Sequence, residues 1–145
     1  MYELLKVWDD TRFVDTASGW FKGADSDVIS EHVYFKPYRF KAGDKPVFLS
    51  EFGGYSLKYE GHVFNDKQTY GYRLFDQQTA YMDAVEELYK KEIIPAVSRG
   101  LCGAVYTQLS DVEDETNGLY SYDRRVCKVD EARMRALAEE LKSEV

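Results

Sequence analysis

Pro46–Gly54, PVFLSEFGG, is the stretch that decides the fold. Pro46 to Leu49 form a nearly continuous apolar run, the pattern of a strand buried on both faces of a parallel sheet. The run stops abruptly at Ser50, Glu51, Phe52, Gly53 and Gly54. Two successive glycines allow a sharp exit and the close approach of another group. In parallel βα architectures the working side chains sit where strands end at their C-terminal edge. Glu51 stands at that edge, so it is a candidate catalytic carboxylate; the plainer reading is a surface glutamate that opens a loop.

Working outward, a polar and aromatic loop runs to about Tyr70, and then Tyr81, Ala84, Val85, Leu88 and Tyr89 recur at helical spacing. They predict one apolar stripe on a helix that Pro95 and Gly100 help to end. A second unit repeats the plan. Gly103 to Leu109 predict a strand, SDVEDETNG its acidic loop, Asp130 an N-cap, and Met134, Leu137, Ala138 and Leu141 the last helical stripe. Upstream, Thr11 to Val14 and Val28 to Tyr34 are shorter strand candidates, and Met1 to Trp8 read as the tail of a helix. The sum is an α/β chain, one domain over residues 1–145, with four strands in one βα register on a parallel sheet. A complete (β/α)8 barrel takes about 250 residues, so the expectation is about half of one.

Composition narrows the function. The net charge of −7 argues against nucleic acid and anionic membranes, both of which call for a positive patch. No apolar run reaches the 18 or so residues of a membrane span, and the acidic start lacks the basic and apolar regions of a signal peptide, so a cytoplasmic setting is favoured. Cys102 and Cys127 form no CxxC, and only two His are present, so neither a disulfide framework nor a metal or other cofactor is expected. The aromatic share is 15%, with 12 Tyr and 2 Trp. Such rings suit sugar stacking, although they serve equally as core.

Around Glu51 several residues can take part. Tyr34 closes the preceding strand, where its phenol can hydrogen-bond the carboxylate; the alternative is an aromatic lid on the core. His32 lies two residues earlier and shares that face, either as a substrate contact or as a structural histidine. Trp20 follows the first predicted strand and can form a stacking platform. Asp111, Glu113, Asp114 and Glu115 lack the spacing of a calcium loop, which leaves a solvated acidic loop as the expectation.

Four ordered motifs, DDTRFVDTASGW, DVISEHVY, KPVFLSEFGGYS and GAVYTQLSDVEDETNGLYSYDRRVCKVD, resemble the latter half of the catalytic barrel of glycoside hydrolase family 2. That family includes β-galactosidases and β-glucuronidases. The resemblance implies that the strands are the fifth to eighth of the barrel, that Glu51 is the nucleophile of a retaining glycosidase, and that Tyr34 contacts it. It also implies a carbohydrate substrate of the β-galactoside or β-glucuronide type, with Trp20, His32 and Gln108 as substrate-binding residues. Retention needs a second carboxylate about 5–5.5 Å away as acid/base. The family takes it from an Asn-Glu pair after the fourth strand, and this sequence holds no Asn-Glu dipeptide. Glu31 and Asp111 are the nearest substitutes, and neither matches that position. After the eighth strand, where several relatives carry Trp, this chain has Tyr106, Thr107 and Gln108. The implied chain is therefore half a mechanism, inactive by itself. Its exposed strand edges lead to an expectation of self-association. The alternative is a non-catalytic carbohydrate-binding or assembly module derived from the barrel.

Overall fold

The computed structural model describes residues 1–16, 19–21 and 25–144. In chain order its elements are α1 (Tyr2–Trp8), β1 (Ile29–Val33), β2 (Val47–Gly53), β3 (Tyr55–Leu57), β4 (Arg73–Phe75), α2 (Gln78–Leu88), a π-helical turn (Tyr89–Ile93), α3 (Ile94–Val97), β5 (Leu101–Thr107) and α4 (Glu131–Ser143). Strands β1, β2 and β5 form one parallel sheet in that order, so each crossover moves the chain one strand along in the same direction. The fold is mixed α/β, and no closed barrel is formed.

The apolar pattern accounts for the packing. Val47, Leu49 and Phe52 of β2 and Leu101 of β5 are buried against Leu88, Ile93 and Ala96, which come from α2, the π turn and α3. Leu49 is fully buried, worth about 2 kcal/mol as a transferred side chain. The predicted helical stripe forms: Tyr81, Ala84, Val85 and Leu88 are all buried on α2. Pro95 does not end the helix as expected: the π-helical turn runs straight into α3, which carries Pro95 in its first turn and stops at Val97, ahead of Gly100 at φ +107°. Asp130 caps α4 by accepting from the Arg133 backbone N–H at 2.9 Å. On α4 the stripe is narrower than expected, with Leu137 buried, Met134 and Leu141 partly buried, and Ala138 exposed.

Three expectations need correction. The parallel sheet has three strands, not four, because Thr11 to Val14 form no strand. A strand needs a run of ladder bonds, and here there is one backbone bond, the Val14 carbonyl accepting from the Asp27 N–H at 2.9 Å, while the Val14 N–H is taken by a side chain, donating to Asp27 Oδ2 at 2.8 Å. Part of the first motif, Ala17 and Ser18, lies outside the described residues. The presumed loop to Tyr70 contains β3, which pairs in parallel with β4 as a second, two-stranded sheet. Finally, β5 begins at Leu101, two residues before the expected start, and ends at Thr107, which leaves Gln108 in the loop after a cis Thr107–Gln108 peptide.

Candidate active site

Strict alternation along β2 would put Glu51 on the same face as Val47 and Leu49, against the helices. The register says otherwise. Glu31 pairs with Leu49 but His32 pairs with Glu51, so β2 carries one extra residue, Ser50, at a β-bulge. A bulge re-aims the side chains that follow it. Phe52, three residues after Leu49, returns to the covered face, and Glu51 turns to the opposite one. Ser50 is absorbed there by Ser30 Oγ at 2.5 Å and by the Glu31 carbonyl at 3.3 Å.

On the open face Glu51 meets two partners from β1 and the residue just after it. The Tyr34 hydroxyl donates to Glu51 Oε2 at 2.7 Å. His32 Nδ1 lies 3.1 Å from that same oxygen. No hydrogen bond forms across that distance, and both His32 nitrogens are buried without a hydrogen-bond partner among the described residues. The His32 side chain is 8% exposed and that of Glu51 is 44% exposed. Glu51 Oε1 makes no hydrogen bond among the described residues, and the side chain that carries it is half-exposed. One oxygen is thus anchored and the other is left available.

The remaining expected residues divide. Trp20 is 60% exposed, with its ring edge-on to His32 at 6.3 Å between centroids. Gly19 makes this approach possible: it sits at φ +66°, and a Cβ there would fall 2.0 Å from His32 Cγ. Gly19, Trp20, His32, Tyr34, Phe35 and Lys36, together with Glu31 and Val33, line a cleft of about 350 Å³. Gln108 is not brought to Glu51 by its hydrogen bonds. Its amide donates to Glu115 Oε2 at 3.0 Å and Asn117 Oδ1 at 2.8 Å, which folds the acidic loop back on itself.

The acidic loop is not wholly solvated, a further correction to the sequence reading. Asp111 is buried and accepts from Lys128 Nζ at 2.5 Å and from the Gly118 N–H at 2.8 Å, with the Lys128 side chain fully enclosed. Burial pushes the Asp111 carboxyl up and the Lys128 ammonium down, and the pair's mutual attraction opposes both shifts. Asp111 is therefore committed to structure. Glu31 alternates with His32 and points to the covered face, where its charge acts on the Tyr38 phenol.

Two contacts of Tyr34 escaped the sequence reading, which named Thr107 only as one of the residues standing where several relatives carry Trp. Thr107 Oγ1 lies 2.8 Å from the Tyr34 hydroxyl, and the Tyr72 ring stacks on Tyr34 at 3.9 Å and 7°. Neither has a local signal, since 73 residues separate Thr107 from Tyr34. Burial pushes the Tyr34 phenol far above its ordinary value, with the Thr107 contact pulling it down and the Glu51 contact adding to the rise. Burial and the neighbouring Tyr70 hydroxyl push Tyr72 up to about 12. Both phenols are neutral donors across the physiological range.

Comparison with protein-family models and with curated protein sequences returns no match.

Proposed function

We propose that this chain is the nucleophile-bearing half of a (β/α)8 retaining β-glycosidase barrel, with Glu51 as the attacking carboxylate. The observation that carries the reading is the asymmetry of Glu51: Oε2 is held by Tyr34 and approached by His32, while Oε1 is free on the open face at the C-terminal edge of a parallel sheet. A carboxylate fixed through one oxygen presents the other in a defined direction, which is what in-line attack at an anomeric carbon needs. The one-way order of β1, β2 and β5 agrees with consecutive units of such a barrel.

In this mechanism Glu51 Oε1 forms a bond to the anomeric carbon as the glycosidic C–O bond breaks and the leaving oxygen takes the electron pair; water later cleaves the ester. A second carboxylate must protonate an ordinary leaving group. Asp111 is locked to Lys128 and Glu31 lies on the other face, so neither serves. This chain thus performs only the step that needs no acid. Dinitrophenolate departs unprotonated, which makes a dinitrophenyl β-galactoside or β-glucuronide the informative substrate. The expected result is slow release of dinitrophenolate, lost in Glu51→Gln, and no hydrolysis of the methyl glycoside. Absence of release, or release that survives Glu51→Gln, overturns the nucleophile assignment. Hydrolysis of the methyl glycoside overturns the missing acid.

One observation favours a second reading, a non-catalytic carbohydrate-binding module: Trp20 and Phe35, 60% and 77% exposed, flank the cleft beside His32. Under it, titration calorimetry detects sugar binding that Trp20→Ala removes and Glu51→Gln leaves intact.

A further inference from the structure

The Tyr34 phenol has one proton and two oxygen neighbours, Glu51 Oε2 at 2.7 Å and Thr107 Oγ1 at 2.8 Å. An ionised carboxylate only accepts, so the Tyr34 proton goes to Glu51 and the Tyr34 oxygen is left to accept. Thr107 is the donor that remains. We infer that Thr107 is a positioning residue, which directs the Tyr34 proton onto Glu51 by donating its own hydroxyl proton to the Tyr34 oxygen. The inference rests on the reading of Glu51 as nucleophile and extends it to a third strand.

The surroundings make Thr107 suited to this. It ends β5, where it pairs with Gly53, two residues beyond Glu51, and its carbonyl accepts from the Gly54 N–H at 3.0 Å. Backbone and site are thereby tied together, and a β-branched side chain has few rotamers in which to stray. From the other side Tyr72 fixes the Tyr34 ring by stacking, and its own N–H donates to the Gly54 carbonyl at 2.9 Å. Gly54 must be glycine for both: it sits at φ +64°, and a Cβ would fall 2.4 Å from Tyr72 Cδ2 and 3.2 Å from Tyr34 Cδ1. A hydroxyl that accepts a hydrogen bond becomes a better donor, so removing Thr107 weakens the hold on Glu51 Oε2 without touching Glu51.

Two measurements on the intact chain test this. The first needs no activity: the carbon-13 signal of the Tyr34 ring carbon that bears the hydroxyl, assigned by its loss in Tyr34→Phe, moves in Thr107→Val and returns in Thr107→Ser. Thr107→Ala removes the same hydroxyl and gives the same displacement, should the valine variant fold poorly. The second is the first turnover of the dinitrophenyl glycoside, the step that needs no acid. Thr107→Val lowers the rate of the first-turnover release of dinitrophenolate roughly tenfold, or about 1.4 kcal/mol, with the half-saturating substrate concentration nearly unchanged, and Thr107→Ser restores it. A Tyr34 signal unmoved in both Thr107→Val and Thr107→Ala overturns the inference. A wild-type chain that releases no dinitrophenolate overturns the nucleophile reading instead, and the carbon-13 result then still decides the Thr107 contact.

Discussion

The covered face of the parallel sheet and the polar rim beyond its C-terminal edge adjoin the same three strands, yet they are held by different forces. On the covered face Val47, Leu49, Phe52 and Leu101 pack against apolar helix side chains, and contact is non-directional. At the rim Tyr34, Glu51, Thr107, Gln108, Asp111 and Lys128 are joined by hydrogen bonds, several of them between residues far apart in sequence. The covered face tolerates small changes in shape and resists loss of volume. The rim tolerates almost no loss of a partner, because an unpaired buried polar group bears its full desolvation penalty. Within the rim itself stability and the proposed chemistry part: Asp111 and Lys128 are buried, whereas Glu51, the carboxylate we propose for catalysis, is half-exposed.

That contrast can be broken by mutation. The largest stability loss is expected at the rim, where Lys128→Ala leaves the Asp111 carboxylate buried without its cation. The cost is about 3–5 kcal/mol, read as a lowered urea midpoint, and a change under about 1 kcal/mol would mean that water or a rearranged loop takes the place of Lys128. Leu49→Ala on the covered face comes next, at about 2–5 kcal/mol from lost transfer and the cavity left behind. Against it, Glu51→Gln should cost only about 1 kcal/mol in the same titration, because a half-exposed carboxylate loses one charge-assisted hydrogen bond and an amide oxygen can still accept from Tyr34.

The smallest effect lies away from both regions, where Asp27 holds α1 and the Val14 backbone through Lys6, Tyr2 and the Val14 N–H. These contacts lower its carboxyl from 3.8 to about 2, Lys6 contributing most. A depressed carboxyl stabilises the fold above its ordinary value, and the contribution fades as pH falls through the folded value. The Val14 amide resonance should therefore titrate with a midpoint near 2. A midpoint at 3.8, its ordinary value, would show that the clamp does not form.

The contrast also explains what could be read in advance. The helical stripe of α2, the Asp130 cap, the strand at Val28 to Tyr34 and the buried run at Val47 to Leu49 were legible because periodicity and capping are local properties of neighbouring residues. The absent strand at Thr11 to Val14 was not legible, since the Val14 N–H that a ladder would use is taken by a side chain 13 residues away. The acidic loop was misread for a similar reason: the cation that buries Asp111 comes from position 128.

By itself, then, the sequence determined that this is an α/β chain with a parallel strand carrying Glu51 near its C-terminal end, and offered Tyr34 as its partner, because apolar runs, glycines and helical spacing act over a few residues. Only the tertiary structure decided which way Glu51 faces. The extra residue at Ser50 turns it from the helices to the open face, and a bulge is a mismatch between two strands that neither strand contains alone. The same holds for Thr107 and Tyr72, which reach Tyr34 from β5 and from the segment before β4 once the sheet has brought them together.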